Sequence, residues 1–172
     1  MTGRPGASMR VLFLCTGNSA RSQMAETILR QLSHGRIEAF SAGTSPRAEI
    51  EPLAREAIRR VLKVEMDGQE PKPLAPFVRQ PFDFVITVCD RAAESCPVFP
   101  GDPERIHWGF ADPAAVVGSE DERSRAFETV ARQLVGRMRI WMSLPRLREA
   151  MDAPPPSPTA IHLVDDGGNK KS

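Results

Sequence analysis

The sequence predicts an α/β fold: a single domain with a doubly wound sheet of about four parallel strands and helices on both faces. Short continuous apolar segments, typical of strands buried on both faces of a parallel sheet, alternate with segments whose apolar residues recur at helical spacing. This alternation implies βαβ units with right-handed crossovers. The chain of 172 residues is long enough for one domain with a substantial core.

Two of the predicted strands lead into a cysteine. RVLFL is followed by Cys15, and FDFVITV is followed by Cys89. In doubly wound sheets the active site lies beyond the carboxyl ends of the strands, so we expect both thiols at the same edge of the sheet. The four predicted strands are residues 10–14, 37–43, 82–88 and, with a weaker pattern, 105–110.

Apolar spacing and end signals define the predicted helices. After the first strand, Met24, Ile28 and Leu32 recur every four residues, and Gly35 is placed to end that helix. A proline at the first turn and a capping-box serine mark the starts of two further helices. These positions are Pro52, then Ser119 with Glu122, and the last helix carries a stripe of Phe127, Val130, Leu134, Met138 and Trp141.

Both ends of the chain are rich in Pro, Gly and Ser. Segments of this composition bury too little apolar surface to fold. We therefore expect a disordered N-terminal tail over residues 1–8, one folded domain over residues 9–148 and a mostly disordered C-terminal tail over residues 149–172.

Composition excludes several classes of function. The net charge is +1, with 23 basic and 22 acidic residues mixed along the chain, so we expect no nucleic-acid partner and no membrane surface. The longest purely aliphatic or aromatic run, Val11 to Leu14, is far too short to span a bilayer. These features favour a cytoplasmic protein. In that compartment three cysteines are normally reduced, which favours catalytic, redox or metal-binding roles over a structural disulfide.

The segment between Cys15 and Arg21 has the composition of an anion-binding loop. Small and polar residues separate a buried strand from a helix start, where successive N–H groups can surround an oxyanion. The Arg21 guanidinium can donate hydrogen bonds to two oxygens of such an anion. The positive field predicts a lowered pKa for Cys15, helped by the Ser19 and Ser22 hydroxyls. The predicted oxyanion-binding residues are Thr16, Gly17, Asn18, Ser19, Ala20, Arg21 and Ser22.

A plainer interpretation of this segment is a buried cysteine that ends a core strand and precedes an ordinary turn. The strand before the loop, its polar turn and the amphipathic helix after it favour the functional interpretation. The segment is neither a Walker loop nor a dinucleotide fingerprint, because it lacks the Gly-Lys-Ser/Thr and G-x-G-x-x-G patterns.

The stretch CTGNSARSQMAE, residues 15–26, resembles the active-site loop of the low-molecular-weight tyrosine phosphatase fold. Its QMAE ending is similar to the thioredoxin-coupled arsenate reductase branch of that fold. FSAG, VITVCDRAAESCP and HWGFADPA fit the same branch, and together the motifs extend over roughly residues 10–142. The resemblance implies a phosphatase-like catalytic domain that reduces arsenate to arsenite, with phosphate or sulfate as competing oxyanions.

The resemblance also implies roles for the three cysteines. Cys15 would attack arsenate, Cys89 would attack the Cys15 sulfur and release arsenite, and Cys96 would then attack Cys89. Thioredoxin would reduce the final disulfide between Cys89 and Cys96, although mycothiol or glutaredoxin remain alternatives. The residue spacing alone leaves two core cysteines or half a zinc site open, but C-x6-C is not a usual zinc spacing and the histidines are scattered.

The segment between Cys89 and Cys96 is predicted to be a short helix in the reduced protein. It starts with Asp90, contains two alanines and ends before Pro97. A helix of this length separates its ends by about 10.5 Å, from a rise of ~1.5 Å per residue. A disulfide tolerates Cα atoms only about 7 Å apart. We therefore predict that residues 89–97 form a redox switch, which is helical when reduced and rearranged when oxidised.

Asp112, in the sequence FADPA, corresponds by the resemblance to the general acid that protonates the leaving oxygen. Two other functions remain open. One is a low-molecular-weight tyrosine phosphatase that acts through a phosphoenzyme on Cys15, although Ala114 stands where such phosphatases typically place an aromatic residue. The other is a non-catalytic redox or oxyanion sensor that binds a partner through residues 89–97.

The chain departs from the family pattern at two places. Ala20 replaces a cysteine that belongs to neither implied disulfide. Some reductases of this branch bind potassium near the loop, and Asn18, Glu26 and Ser41 match three of its ligand positions. Lys72 or Pro73 falls where the remaining acidic ligand belongs, so the three residues form either a potassium site or a hydrogen-bond network. We expect no other bound cofactor, and a monomer.

Overall fold

The computed structural model describes residues 7–154. Residues 1–6 of the predicted N-terminal tail and residues 155–172 of the predicted C-terminal tail lie outside the described residues. The elements in chain order are β1 (Met9–Cys15), α1 (Arg21–Leu32), β2 (Ile37–Gly43), α2 (Pro52–Leu62), a 3-10 turn (Ala75–Phe77), β3 (Phe84–Thr87), α3 (Asp90–Glu94), β4 (Glu104–His107), a second 3-10 turn (Pro113–Ala115), α4 (Glu120–Met142) and α5 (Pro145–Asp152).

The four strands form one parallel sheet in the order β2-β1-β3-β4. The chain moves from β1 to one side for β2 and to the other side for β3, so the strand order reverses beside β1. A crevice at the carboxyl ends of strands is expected at such a switch point. Cys15 pairs with Gly43 at this edge, and Thr87 pairs with His107. The predicted fold class is confirmed.

Both faces of β1 are buried, since Val11, Leu12, Phe13 and Leu14 are fully shielded from solvent. The face that carries Phe13 packs against an edge-to-face cluster of aromatic rings that includes Trp141 of α4. The opposite face is covered by a second aromatic cluster, made of Phe40, Phe77, Phe82 and Phe99. This double burial explains the continuous apolar runs in the sequence.

The predicted helix ends agree with the structure. Pro52 is the first residue of α2, and the Ser119 hydroxyl caps α4 by accepting from the Glu122 N–H at 3.2 Å. Gly35 follows α1 with a positive φ of 73°, which suits glycine. All five apolar residues of the α4 stripe are buried. No helix in residues 7–154 is long and apolar enough to cross a membrane.

Several boundaries differ from the prediction. Strand β1 is one residue longer at each end, and β4 covers Glu104–His107 instead of residues 105–110. Strand β3 covers Phe84–Thr87 instead of residues 82–88 and ends two residues before Cys89, because the chain turns there into α3. The helix α5 continues to Asp152, beyond the predicted domain end at residue 148. This helix is short, and its only buried residue is Leu147, so its apolar pattern is too sparse to be recognised in the sequence.

Candidate active site at the carboxyl edge of the sheet

The loop between β1 and α1 is shaped by the segment that follows β2. The carbonyl oxygens of Cys15, Thr16, Gly17 and Ser19 accept hydrogen bonds of 2.9 to 3.2 Å from N–H groups of residues 44–51. These carbonyls therefore point away from the loop interior. The N–H groups of residues 17–20 donate to no backbone carbonyl within the described part of the chain. They are free to surround an anion at the start of α1.

Close approach of β2 to this loop depends on Gly43. A Cβ atom at this position would lie 2.6 Å from the Thr16 carbonyl oxygen and 2.9 Å from the Asn18 Cβ. Both neighbours belong to the loop, and the first is backbone. Only glycine lets the end of β2 pack against the loop at this distance.

Asn18 stabilises the conformation of the loop through buried hydrogen bonds. It is completely buried and has a positive φ of 48°, a conformation that asparagine tolerates better than most residues. Its Nδ2 donates to the Ser22 Oγ at 2.8 Å, and its Oδ1 accepts from the Gln23 Nε2 and the Lys72 N–H, both at 2.8 Å. Gln69 in turn donates to the Gln23 Oε1 at 2.8 Å. The loop conformation is therefore held by buried polar contacts.

Three residues of this support were not predicted from the sequence: Gln23, Gln69 and Lys72. Gln23 lies on the buried side of α1, and the other two lie in the irregular segment after α2. The sequence contained one signal for this support, a glutamine on the apolar side of a predicted helix, because a buried side-chain amide needs hydrogen-bond partners. The segment after α2 has no periodic pattern that could have indicated its position.

The side chains of Cys15 and Cys89 are neighbours, since each thiol shifts the pKa of the other, and both residues are buried. The Thr16 Oγ1 lies 3.5 Å from the Cys89 Sγ. The two cysteines thus meet where β1 and β3 end, as the sequence predicted. All three cysteines have free thiols, so the structure describes the reduced protein.

The two thiols titrate as a coupled pair. The neighbouring Cys15 thiol lowers the pKa of Cys89 to about 5, with further help from Thr16. The Cys89 side chain and burial raise the pKa of Cys15, although Arg21 acts in the opposite direction. The lowered pKa that we predicted for Cys15 is therefore wrong for the resting pair. Its thiolate charge lies on Cys89, because two adjacent buried thiolates would repel each other.

The hydrogen bonds expected from Ser19 and Ser22 to the Cys15 sulfur are not formed among the described residues. The Thr16 N–H contacts this sulfur instead, and Ser22 is engaged by Asn18. The remaining predicted loop residues keep their expected places around the turn. Asn18, Ser19, Ala20 and Ser22 are buried, and Thr16, Gly17 and Arg21 are half-buried.

Arg21 joins the loop to the segment that carries Asp112. Its Nη1 donates to the Phe110 carbonyl oxygen at 2.9 Å, and its Nη2 lies 3.8 Å from the Asp112 Oδ2. The Asp112 Oδ1 accepts from the Ala114 N–H at 3.0 Å, which caps the second 3-10 turn. Asp112 is about half exposed, with a side-chain exposure of 46%. The structure therefore brings an exposed carboxyl group to the rim of the anion loop.

Cys89 and Cys96 flank α3, and strand β4 holds the segment between them at both ends. The His107 Nε2 lies 2.9 Å from the Asp90 Oδ1, and the Arg105 Nη2 donates to the Pro97 carbonyl oxygen at 2.7 Å. We call these two contacts the β4 clasps. Burial raises the pKa of Cys96, and the nearby Arg105 opposes this effect. The predicted short helix is confirmed.

The three predicted potassium ligands lie together behind the loop, but their oxygens already have partners. The Glu26 carboxylate accepts from the Ser41 hydroxyl and from Arg30, and its Oε2 lies 3.6 Å from the Lys72 Nζ. Asn18 is engaged as described above. No cluster of three or more His, Cys, Asp or Glu side chains suited to a metal is found within residues 7–154.

The model of one protein family, low molecular weight phosphotyrosine protein phosphatase, matches residues 10–152. The chain belongs to this family. It is 34% identical over 131 residues to an arsenate reductase of Oceanobacillus iheyensis, which covers 76% of this chain and 93% of that protein.

Two solved structures extend the comparison. A thioredoxin-dependent arsenate reductase of Corynebacterium glutamicum is 28% identical with a TM-score of 0.57, and the match covers 78% of this chain and 63% of that one. A low molecular weight protein tyrosine phosphatase from T. tengcongensis is 25% identical with a TM-score of 0.63, and the match covers 78% of this chain and 98% of that one. The resemblance seen in the sequence is confirmed.

Proposed function

We propose that this protein is an arsenate reductase that uses Cys15, Cys89 and Cys96 in a thiol relay and is reduced by thioredoxin. The observation that carries the proposal is the position of Cys89, whose sulfur lies beside the Cys15 thiol and 3.5 Å from the Thr16 Oγ1 of the anion loop. A phosphatase needs one cysteine there. A second thiol in contact with the first supplies the two electrons that reduction of arsenate requires. The relatives named arsenate reductase support this choice.

The first step is attack of Cys15 on arsenate held by the loop N–H groups and Arg21. Transfer of one proton from the Cys15 thiol to the Cys89 thiolate creates the nucleophilic thiolate. A sulfur–arsenic bond forms, and one arsenic–oxygen bond breaks. Asp112, at the rim of the loop, protonates the leaving oxygen, which departs as water. Arsenic remains in its oxidised state in this adduct.

The second step transfers electrons. The Cys89 thiol passes its proton to an oxygen of the adduct, and its sulfur attacks the Cys15 sulfur. The sulfur–arsenic bond breaks with its electron pair on arsenic, so arsenite leaves and a disulfide between Cys15 and Cys89 forms. The position of the Cys89 sulfur beside Cys15 and the Thr16 hydroxyl supports this attack. Two thiols are oxidised, and one arsenic is reduced by two electrons.

The third step moves the disulfide to the surface. The Cys96 thiolate attacks the Cys89 sulfur, the Cys15 thiolate leaves, and the disulfide between Cys89 and Cys96 forms. The α3 segment must rearrange for this bond, since α3 separates the two residues. Cys96 is half-buried, whereas Cys15 is buried, so the new disulfide is more accessible to a reductant protein. The dithiol of thioredoxin then reduces it and is itself oxidised.

A single-turnover thiol count tests this proposal. The fully reduced protein is mixed with arsenate without any partner protein, and free thiols are titrated before and after. We expect loss of two thiols per chain and one equivalent of arsenite. The Cys89→Ser variant should lose none, whereas Cys96→Ser should still lose two and trap the disulfide between Cys15 and Cys89. Survival of all thiols with hydrolysis of an aryl phosphate would instead identify a phosphatase.

The choice of reductant needs a separate measurement. Multiple turnovers are followed with thioredoxin and its reductase, with mycothiol or with glutaredoxin as the only electron source. We expect sustained turnover with thioredoxin, and its loss in Cys96→Ser. Turnover with only one of the other two reductants would contradict the thioredoxin assignment but leave the internal relay intact.

A further inference from the structure

Glu26 is a buried carboxylate that lies one turn behind the anion loop. Its side chain is 4% exposed, so its charge needs partners inside the protein. The Ser41 hydroxyl of β2 donates to Oε2, and the Arg30 guanidinium contacts Oε1 from the next turn of α1. The Lys72 ammonium lies 3.6 Å from Oε2. Two cationic side chains therefore face one buried carboxylate.

Lys72 connects this carboxylate to the loop. Its N–H donates to the Asn18 Oδ1 at 2.8 Å, and its carbonyl oxygen accepts from the Gly43 N–H at 2.8 Å. The backbone of Lys72 thus forms hydrogen bonds both with Asn18, the loop residue with positive φ, and with Gly43, against which the loop packs. Its side chain, 29% exposed, reaches Glu26 from the same position.

A potassium ion does not fit the three residues that match its ligand positions. The Asn18 Oδ1 already accepts two N–H donors, and the Ser41 hydroxyl is directed to Glu26. Potassium needs several free oxygen ligands, and hard cations in general take six or more (about 6–8 for calcium). A cation beside Glu26 would also be repelled by the Lys72 ammonium and the Arg30 guanidinium.

We propose that the Lys72 ammonium replaces a bound monovalent cation in this chain. The ammonium neutralises Glu26, and this contact fixes the position of the Lys72 backbone, whose N–H donates to Asn18 and holds the loop in the shape that binds an oxyanion. Lys72 is a positioning residue, since it acts through Asn18 and Glu26. This inference rests on the proposed function only in that the loop binds a tetrahedral oxyanion, and it is independent of the redox relay.

The first test compares potassium and sodium in the wild-type chain. Inorganic phosphate is the probe, and its affinity is taken from the rise in Tm with phosphate concentration, measured in KCl and in NaCl at equal ionic strength. We expect the same Tm and the same phosphate affinity in both salts. A higher Tm or tighter phosphate binding in KCl would overturn the proposal, and this comparison needs no variant that might fail to fold.

The second test removes the charge with Lys72→Met. We expect phosphate affinity in NaCl to fall about tenfold. Loss of a residue that supports the groups in contact with a ligand typically costs about 10- to 100-fold in affinity, and this value is the lower limit of that range. KCl should not restore this affinity, because the partners of Asn18 and Ser41 and the Arg30 guanidinium remain in the variant and leave no site for the ion. Unchanged phosphate affinity in NaCl, or recovery of the affinity in KCl, would contradict the role of the Lys72 ammonium.

Two further variants serve as controls. Lys63→Met removes an exposed lysine outside this cluster and should leave phosphate affinity unchanged in both salts. The double variant Lys72→Met with Glu26→Gln should bind phosphate better than Lys72→Met alone, because it no longer leaves a buried carboxylate short of a partner. A thiol count that finds no arsenate reduction would refute the proposed function, while these phosphate measurements would still decide the role of Lys72.

Discussion

Cys15 and Cys89 lie beside each other at the anion loop, and each thiol shifts the pKa of the other, downward for Cys89 and upward for Cys15. Two adjacent buried thiolates would repel each other, so this pair loses its first proton far more readily than its second. The two cysteines come from the ends of neighbouring strands β1 and β3.

The charge on this pair predicts a characteristic titration. Because the pKa of Cys89 is lowered to about 5, one thiolate per chain should appear in that pH range, well below the range of an ordinary thiol. The measurement is the ultraviolet absorbance of thiolate as a function of pH in the fully reduced protein. Cys15→Ala removes the neighbouring thiol that lowers the pKa of Cys89 and should raise this midpoint. Absence of thiolate below neutral pH in the wild-type protein would contradict the arrangement.

Arg21 is predicted to be irreplaceable by lysine. Its guanidinium donates to the Phe110 carbonyl oxygen and faces Asp112. A lysine ammonium cannot make both of these contacts and also donate to two oxygens of an anion. We expect Arg21→Lys to lower kcat/KM for arsenate by a factor of about 10² to 10³, as for loss of an oxyanion donor. Steady-state kinetics with arsenate measures the effect. Arg137→Lys, at an exposed position of α4, is the matched control and should stay within a few-fold of wild type.

The loop and its nucleophile could be predicted because their signals are local. A buried strand, a small polar turn and a helix start within twelve residues indicate an anion site next to Cys15. The proximity of Cys89 also followed, because parallel strands end at one edge. The position of the thiolate could not be predicted. It depends on contact between two sulfur atoms 74 positions apart in the chain (89 minus 15), which no local pattern contains.

The residues that support the loop also could not be predicted from the sequence. Lys72 and Gln69 lie in a segment without periodicity, and their contacts with Asn18 and Gln23 form only when that segment packs across α1. The sequence indicated that Asn18, Glu26 and Ser41 belong together, and the structure brings Glu26 and Ser41 into contact. The sequence did not indicate that the Lys72 side chain is directed towards Glu26. The direction of this side chain depends on tertiary packing, which the spacing of residues along the chain does not specify.

The β4 clasps are predicted to stabilise the reduced form of residues 89–97. The contacts of His107 with Asp90 and of Arg105 with Pro97 hold α3, which must rearrange for the proposed disulfide between Cys89 and Cys96. Loss of a clasp should therefore favour the disulfide and make its reduction potential more negative. We expect a shift on the order of 10–30 mV for His107→Ala or Arg105→Met, from ~0.5–1.5 kcal/mol per contact and a two-electron couple.

Equilibration with a thioredoxin redox couple, followed by mass spectrometry, measures this potential. Amide exchange of the reduced protein should also show faster exchange over residues 89–97 in both variants. His34→Ala, an exposed histidine outside the clasps, should change neither quantity. A less negative potential in His107→Ala would mean that the contact stabilises the oxidised form instead, and the clasp interpretation would be wrong.

Gly43 and Gly136 offer a matched pair of glycine-to-alanine changes with opposite expected signs. At Gly43 the added Cβ would meet the Thr16 carbonyl oxygen at 2.6 Å, so β2 and the loop must separate. At Gly136, in the middle of α4, nothing lies within 4 Å of the added atom. Alanine there improves helix propensity and reduces the entropy of the unfolded chain.

We therefore expect Gly43→Ala to lower the free energy of unfolding by about 1–3 kcal/mol, as overpacking does, and to weaken phosphate binding. Gly136→Ala should raise the free energy of unfolding by about 0.4–1 kcal/mol and leave phosphate binding unchanged. Urea unfolding with and without phosphate measures both effects. Normal phosphate binding in Gly43→Ala would show that the loop does not need the close approach of β2. The loop shape would then depend on Asn18 and its buried partners alone.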